Sequence, residues 1–397
     1  MDQASFFLMC QKFSRQGFVL GLLLTAVIAS GCEKGGTQSE GGDTQEDILI
    51  GVAGPMTGDQ SKIGGDLERG ARIAVDEWNA RGGIMGRKVR LEVGDDQHDP
   101  KQAVSVANKM VNLGIVGMVG HFNSSASIPA SSVYHDAGTP MITPASTNPR
   151  LTEQGFENVF RVVGRDDQQG KVAARFVITQ LKAKRIAILH DKTTYGQGLA
   201  DEFRKSLIAI GGQDVEVVSF DGLTQGDKDF RGILTRLKEK NLDLYFFGGI
   251  FPEGGLLAKQ GKEVGLNVPM MSGDGVIDPK FIEIAGAAAE GTYLTFTPDT
   301  EKLPQAADFL KKYKAKHGND LAPYAIYAYD AANILLKAVS DAKSTDKKRL
   351  VEVIRTMKYN GALGHIEFDD KGDILKSPYI VWVTRKDRFE AFWLPPE

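Results

Sequence analysis

From Ile48 onward, short β-type runs alternate with stretches of helical periodicity, and this alternation restricts the fold more than any other feature of the chain. "ILIGVAG" reads as a strand. Leu67, Ala71, Ala74 and Trp78 then recur at helical spacing up to Arg81-Gly82-Gly83. "KVRLEV" reads as the next strand. Asp99-Pro100 makes an N-cap and N1 pair that opens a helix with Ala103, Val106, Ala107 and Met110 on one face. "IVGMVG" and "PMITP" read as strands on either side of the hydroxyl-rich "HFNSSASIPASS". The rhythm restarts in mid-chain. "RIAILH" leads to a helix after Tyr195, "VEVVSF" to "DFRGILTRLKEK", and "LDLYFFGGI" to "PEGGLLAKQGKEVG"; "VPMMSG" and "TYLTFT" follow. Strands alternating with helices predict the α/β class, with parallel sheets covered on both faces. The tail differs: "GHIEFDDKGDIL" reads as a hairpin and "YIVWVTRKDRFEAFWL" as two further strands. Two doubly wound lobes suit 397 residues better than one large sheet. No hydrophilic linker divides the body, so several short crossings are expected between them.

The N-terminus speaks for the compartment. Lys12 and Arg15 precede "GFVLGLLLTAVIASGC", a basic region, an apolar run of secretory length, and small residues before a cut. The run is short for a transmembrane helix. Ala29-Ser30-Gly31-Cys32 resembles a bacterial lipobox, with alanine where leucine is usual. We therefore expect a lipoprotein signal peptide over 1–31, lipidation at Cys32, and a flexible tether over 32–46, where "EKGGTQSEGGDTQED" has nothing to bury. A plain signal peptide with a chance cysteine is the alternative. The expected place is the periplasm or cell surface, anchored to the membrane through Cys32.

Catalytic motifs find little support. A nucleophile elbow needs G-x-S-x-G, and Ser124 sits in Phe122-Asn123-Ser124-Ser125-Ala126 without flanking glycines. His121 is close in sequence, but a base needs placement and an orienting partner. Ser124 thus reads as a nucleophile, a helix cap, or the rim of a cradle. No H-E-x-x-H or cysteine cluster occurs and the six histidines are scattered, so no metal is expected. "YGQGLAD" echoes a dinucleotide loop but has Asp201 where the third glycine belongs, so no cofactor is expected either. "FDDKGD" lacks the spaced ligands of a calcium loop and reads as a hairpin turn at Asp370-Lys371-Gly372. The net charge of -3, without a basic stripe, argues against nucleic acid.

What remains is a set of strand ends rich in small polar groups: "VGHFNSS", "ITPASTN", "HDKTTYG" and "MSGDG". Open α/β sheets bind ligands beyond the carboxyl ends of their strands, and helix N-termini there hold carboxylates. Tyr195 offers an aromatic wall with a polar tip, and Asp274 a charge for an ammonium. The set suits a zwitterion.

"DDQHDPKQAVSVANKMVN", "MITPASTNP", "HDKTTYGQGLA", "FDGLTQGDKDF" and "FDDKGD" resemble the bacterial leucine/isoleucine/valine-binding protein family over nearly all of the mature chain. That family comprises solute receptors of ABC importers with the type I periplasmic-binding-protein fold. The resemblance implies two doubly wound parallel-sheet lobes joined by three hinge crossings, with ligand trapped between them. We place lobe 1 at 47–165 plus 298–381 and lobe 2 at 166–297 plus 382–397. It implies that Ser124 donates to the ligand carboxylate, that Ala145 acts through its backbone, and that Thr147 acts through hydroxyl and N–H. Tyr195 would close over the ligand, Asp274 would bind its ammonium in place of the family's glutamate, and Phe122 would line the pocket. Ile63 and Ile250 stand where the family reference has tyrosines, which should make the pocket more apolar and roomier. His98 and Asn123 stand where it has a disulfide.

The expectation is an extracytoplasmic, monomeric lipoprotein, not an enzyme, that captures a branched-chain or other aliphatic L-amino acid (leucine, isoleucine or valine) and delivers it to an ABC permease. The rival is a sensory receptor for an amide, short-chain acid or aromatic compound.

Overall fold

The computed structural model describes residues 46–318, 321 and 323–396, so the expectations for the signal peptide and for Cys32 lie outside the described residues. The first half begins with β1 (Ile48–Gly54), α1 (Ser61–Ala80), β2 (Val89–Asp95), α2 (Pro100–Asn112), β3 (Gly117–Val119), α3 (Ser124–Asp136), β4 (Met141–Thr143) and β5 (Val159–Arg161). These strands form one five-stranded parallel sheet in the order β2-β1-β3-β4-β5.

The second series runs α4 (Asp166–Thr179), β6 (Arg185–His190), α5 (Thr194–Gly211), β7 (Glu216–Gly222), α6 (Arg231–Lys238), β8 (Leu244–Gly248), α7 (Phe251–Val264), β9 (Met270–Ser272), α8 (Pro279–Ala285) and β10 (Tyr293–Phe296). The chain continues with α9 (Ala307–His317), α10 (Ala325–Ala342) and α11 (Lys347–Thr356), of which α10 packs on α1. A small antiparallel pair, β11 (Tyr359–Gly361) and β12 (Gly364–Ile366), comes next. The chain ends in β13 (Ile380–Arg385) and β14 (Arg388–Trp393). The second sheet has the order β14-β13-β10-β9-β8-β6-β7. Read from its far edge, β7-β6-β8-β9-β10 repeats the strand order of the first sheet.

Three details differ from the sequence reading. The second sheet is mixed, because β13 runs antiparallel to β10 and β14 antiparallel to β13. A boundary at 381 falls inside β13. The tail hairpin is formed by β12 with the upstream β11, while the turn at Asp370-Lys371-Gly372 is closed by a single bridge between Phe368 and Ile374.

Local chemistry explains where helices begin. Asp99 caps α2 by accepting the Gln102 N–H at 2.8 Å, with Pro100 at N1. Thr193 caps α5 through the Gly196 N–H at 2.9 Å, so this helix starts at Thr194 and Tyr195 lies in its first turn, not ahead of it.

At the crossing that follows β5, the fully buried Arg161 is tied on every side. It donates to Asp373 Oδ1 at 2.5 Å, to the Ser146 and Asn148 carbonyls at 2.8 and 3.1 Å, and to Thr152 Oγ1 at 2.7 Å. Arg165 adds a bond to Asp373 Oδ2 at 2.7 Å. Although burial works against it, the two guanidinium charges hold the Asp373 carboxyl below its ordinary value. The acidic turn "FDDKGD" therefore anchors the crossing and the backbone on both sides of Thr147.

Candidate functional site

In the first lobe the chain leaves β3 through Phe122 and Asn123 and enters α3 at Ser124. Asn123 takes the N-cap position, yet no side chain caps the helix. The Asn123 amide instead donates to Gln60 Oε1 at 3.1 Å. The start of α3 thus keeps backbone donors that an anion can use. Ser124 Oγ accepts the Asn148 N–H at 3.3 Å, which leaves its own proton to donate. His121 is not its partner. The His121 ring is buried between Asp96 Oδ2 at 2.7 Å and the Tyr134 hydroxyl at 3.2 Å. Ala145 follows β4, where its N–H donates to Thr143 Oγ1 at 3.2 Å.

The second lobe supplies a carboxylate. Asp274 opens a short 3-10 turn after β9 and is flanked by Gly273 and Gly275. A Cβ on Gly273 would lie 2.3 Å from Gln169 Oε1, and one on Gly275 would lie 2.8 Å from the Tyr195 ring. Only glycines let Gln169 and Tyr195 close on Asp274 from both sides. Oδ1 accepts the Tyr195 hydroxyl at 2.8 Å and the Gln169 amide at 3.1 Å. Oδ2 accepts the Tyr324 hydroxyl at 3.0 Å. Tyr324 stands just before α10, in the segment that returns to the first lobe, so this last bond spans the cleft. Asn148 Nδ2 to the Thr194 carbonyl, at 2.8 Å, is a second such bond. Burial pushes the Asp274 carboxyl up even though three donors favour its charge.

These groups meet in a cavity of 30 Å³ lined by Phe122, Asn123, Ser124, Ala145, Tyr195, Ile250, Asp274, Gly275 and Tyr324. A larger open groove of 560 Å³ sits at the amino ends of β8, β9 and β10. Ligands in open α/β sheets bind beyond the carboxyl ends, so the small cavity is the candidate site.

Six of the eight expected ligand contacts converge there: Phe122, Ser124, Ala145, Tyr195, Ile250 and Asp274. Two do not. Ile63 packs in the core of the first lobe from α1, beside Leu67 one turn on, so it widens no pocket wall. Thr147 is buried and is not among the residues that line the cavity, and its carbonyl accepts the Asp166 N–H at 2.9 Å. Nor is the pocket roomy, at 30 Å³.

Sequence reasoning passed over Asn123, Gly275, Tyr324 and Gln169. It also passed over Asp166, whose two carboxyl oxygens are buried without a hydrogen-bond partner. Burial and the nearby Asp274 charge push the Asp166 carboxyl well above its ordinary range. The first two adjoin residues that were found. Asp166 and Gln169 lie three residues apart on one face of α4, a spacing that could have flagged them.

The sequence profile of the family described as "Periplasmic binding protein" matches residues 47–387. The chain is 39% identical over 376 residues to Leu/Ile/Val-binding protein homolog 1 of Brucella suis, covering 94% of this chain and 97% of that one. It is 37% identical over 340 residues to the leucine-, isoleucine-, valine-, threonine- and alanine-binding protein of Pseudomonas aeruginosa, covering 86% and 90%. Its fold matches the branched-chain amino acid transporter substrate-binding protein LivJ of Streptococcus pneumoniae, solved in complex with isoleucine. There the TM-score is 0.80 at 28% identity, covering 88% of this chain and 99% of that one. The chain belongs to the periplasmic binding protein family and has its type I fold.

Proposed function

We propose that this member of the periplasmic binding protein family captures an aliphatic L-amino acid, leucine, isoleucine or valine first, and delivers it to an ABC importer. The observation that carries the reading is the pairing across the cleft of the uncapped α3 start at Ser124 with the buried Asp274 carboxylate. A desolvated zwitterion needs a partner for each charge. Ser124 Oγ and the α3 backbone donors would take the carboxylate, with the Ala145 backbone nearby. Asp274 would take the ammonium, since three bonds leave acceptor capacity on its oxygens. Phe122, Tyr195 and Ile250 would face the aliphatic part. Hinge closure would then bury the ligand and form the surface that a permease reads.

The relatives named for leucine, isoleucine and valine support this ligand class. An ammonium partner speaks against the rival, a sensor of compounds without an amine. Calorimetric competition across the amino acids tests the proposal, with branched-chain side chains expected to bind tightest. Each buried methylene contributes ~0.8 kcal/mol, so leucine should exceed alanine clearly. Tightest binding of glutamate, of lysine, or of a compound without an amino group would overturn it. For the anchor, we propose lipidation at Cys32 outside the inner membrane; Cys32→Ala is expected to move the protein from the membrane to the soluble fraction.

A further inference from the structure

Beyond Ile250 lies a second chamber of 210 Å³. Ile250 lines both spaces, and the hydrogen-bonded Asn123–Gln60 pair has one member in each wall. The inner cavity, at 30 Å³, has room for about two waters at ~10–15 Å³ each. That is too small for a whole amino acid, and the outer chamber, which shares Ile250 with it, is the neighbouring space into which a side chain could extend.

The outer chamber sets polar groups beside the apolar surface of Pro55, Ile250 and Pro252. Gln60, Gln97, His98, Gln225 and Glu253 line it, and no lysine or arginine is among the described residues that do. Burial lowers the affinity of His98 for a proton, and its Nδ1 sits 2.5 Å from Gln60 Nε2 and 3.4 Å from Gln225 Nε2. Glu253 is 2% exposed. Its Oε1 accepts the Gly226 N–H at 2.8 Å, while Oε2 has no hydrogen-bond partner. A buried acceptor without a donor carries a desolvation penalty of ~1–3 kcal/mol or more, which a ligand donor would relieve. Asn123 Oδ1, on the inner wall, is a second buried acceptor without a partner. Glu253 lies in the first turn of α7, where the helix N-terminus favours a negative charge.

We propose that the outer chamber is the side-chain subsite of the amino-acid site, and that it accepts side chains ending in a nitrogen donor, an amide or an ammonium, with Glu253 Oε2 as the acceptor. The subsite rests on the reading that Ser124 and Asp274 hold the head group. It extends the ligand range beyond branched aliphatic chains.

The experiment is calorimetry on the full mature protein with two near-isosteric pairs, glutamine against methionine and lysine against norleucine, and with leucine as reference. At least one donor-bearing member is expected to bind about tenfold tighter than its apolar counterpart, as a hydrogen bond to a charged group implies. Lysine ahead of glutamine would identify the ammonium, and the reverse order the amide. Glu253→Gln keeps an oxygen for the Gly226 N–H but turns the free acceptor into a donor. It should erase that preference, bringing the members of both pairs to within about twofold of each other. If melting shows that this variant loosens the 223–230 loop, Glu253→Asp, which withdraws the charge by one methylene, should shrink the preference in the same direction. Equal binding within both pairs, or an equal loss for all ligands in Glu253→Gln, overturns the subsite alone. Failure of every amino acid to bind overturns the head-group reading and the subsite with it.

Discussion

The two lobes meet the cleft with opposite chemistry on one strand order. The first offers neutral groups: the Ser124 hydroxyl, the α3 start, the Ala145 backbone, and the amides of Asn123 and Gln60. Its one carboxylate on either cavity wall, Asp59, is exposed. The second lobe offers buried acids. Asp274 is held by hydroxyl and amide donors with no cation on it, and Asp191, Glu253 and Asp278 each keep one carboxyl oxygen without a partner. A repeated topology therefore fixes where a site is, at the switch point of each sheet, but not its charge. The residues of the strand-end loops decide that. Dividing the two signs between lobes makes each lobe an incomplete site and ties tight binding to closure.

Removing the acid from the second lobe should have the largest effect. Asp274→Asn is expected to cost about 3–5 kcal/mol in leucine binding, because the ammonium would be buried against a neutral amide. Calorimetry reads this directly; an unchanged dissociation constant would reduce Asp274 to a turn residue held by Tyr195 and Gln169. Ser124→Ala, on the neutral side, should cost less, about 1.5–3 kcal/mol, since backbone donors of α3 remain for the carboxylate. If the two losses came out equal, the contrast between the lobes would not hold.

The smallest effect concerns the empty protein. Burial, with the Glu253 charge adding to it, pushes the Asp191 carboxyl up to about 6. The folded protein keeps a proton there that the unfolded chain releases near pH ~4. This contribution to stability is complete below about pH 4 and is lost as pH rises through 6. Asp191→Asn should therefore flatten the fall in melting temperature between about pH 5 and 7 by roughly 2 °C. A slope identical to wild type would mean that Asp191 gains water or a partner that the cleft does not show.

How much of this was legible depended on distance along the chain. Strand–helix alternation and the cap at Asp99 are local signals, and the elements they predicted are present. Ser124, Tyr195 and Asp274 were legible because small polar residues directly follow apolar runs. Tyr324 was not. It reaches Asp274 from 50 residues further on, and in "APYAIYAYD" a tyrosine reads as core. Glu253 was passed over within "PEGGLLAKQGKEVG", where nothing local says that one of its oxygens lacks a donor. Ile63 was expected at the pocket by resemblance alone. Its neighbours at helical spacing, Leu67 and Ala71, face the core, and α1 carries it there with them. The two tail strands were readable as strands, but their antiparallel place beside β10 is set by where the chain returns, which periodicity does not encode.

His98 and Asn123, the positions matched to a disulfide by resemblance, both bond Gln60, through Nδ1 at 2.5 Å and through Nδ2 at 3.1 Å. One glutamine side chain thus clasps the two loops that a covalent bridge would join. The only cysteines of the chain are Cys10 and Cys32, ahead of the folded body. Assembly of the cleft is therefore indifferent to thiol–disulfide poise. Surroundings poor in oxidising enzymes, or flooded with reductant, leave the clasp between these two loops as it was.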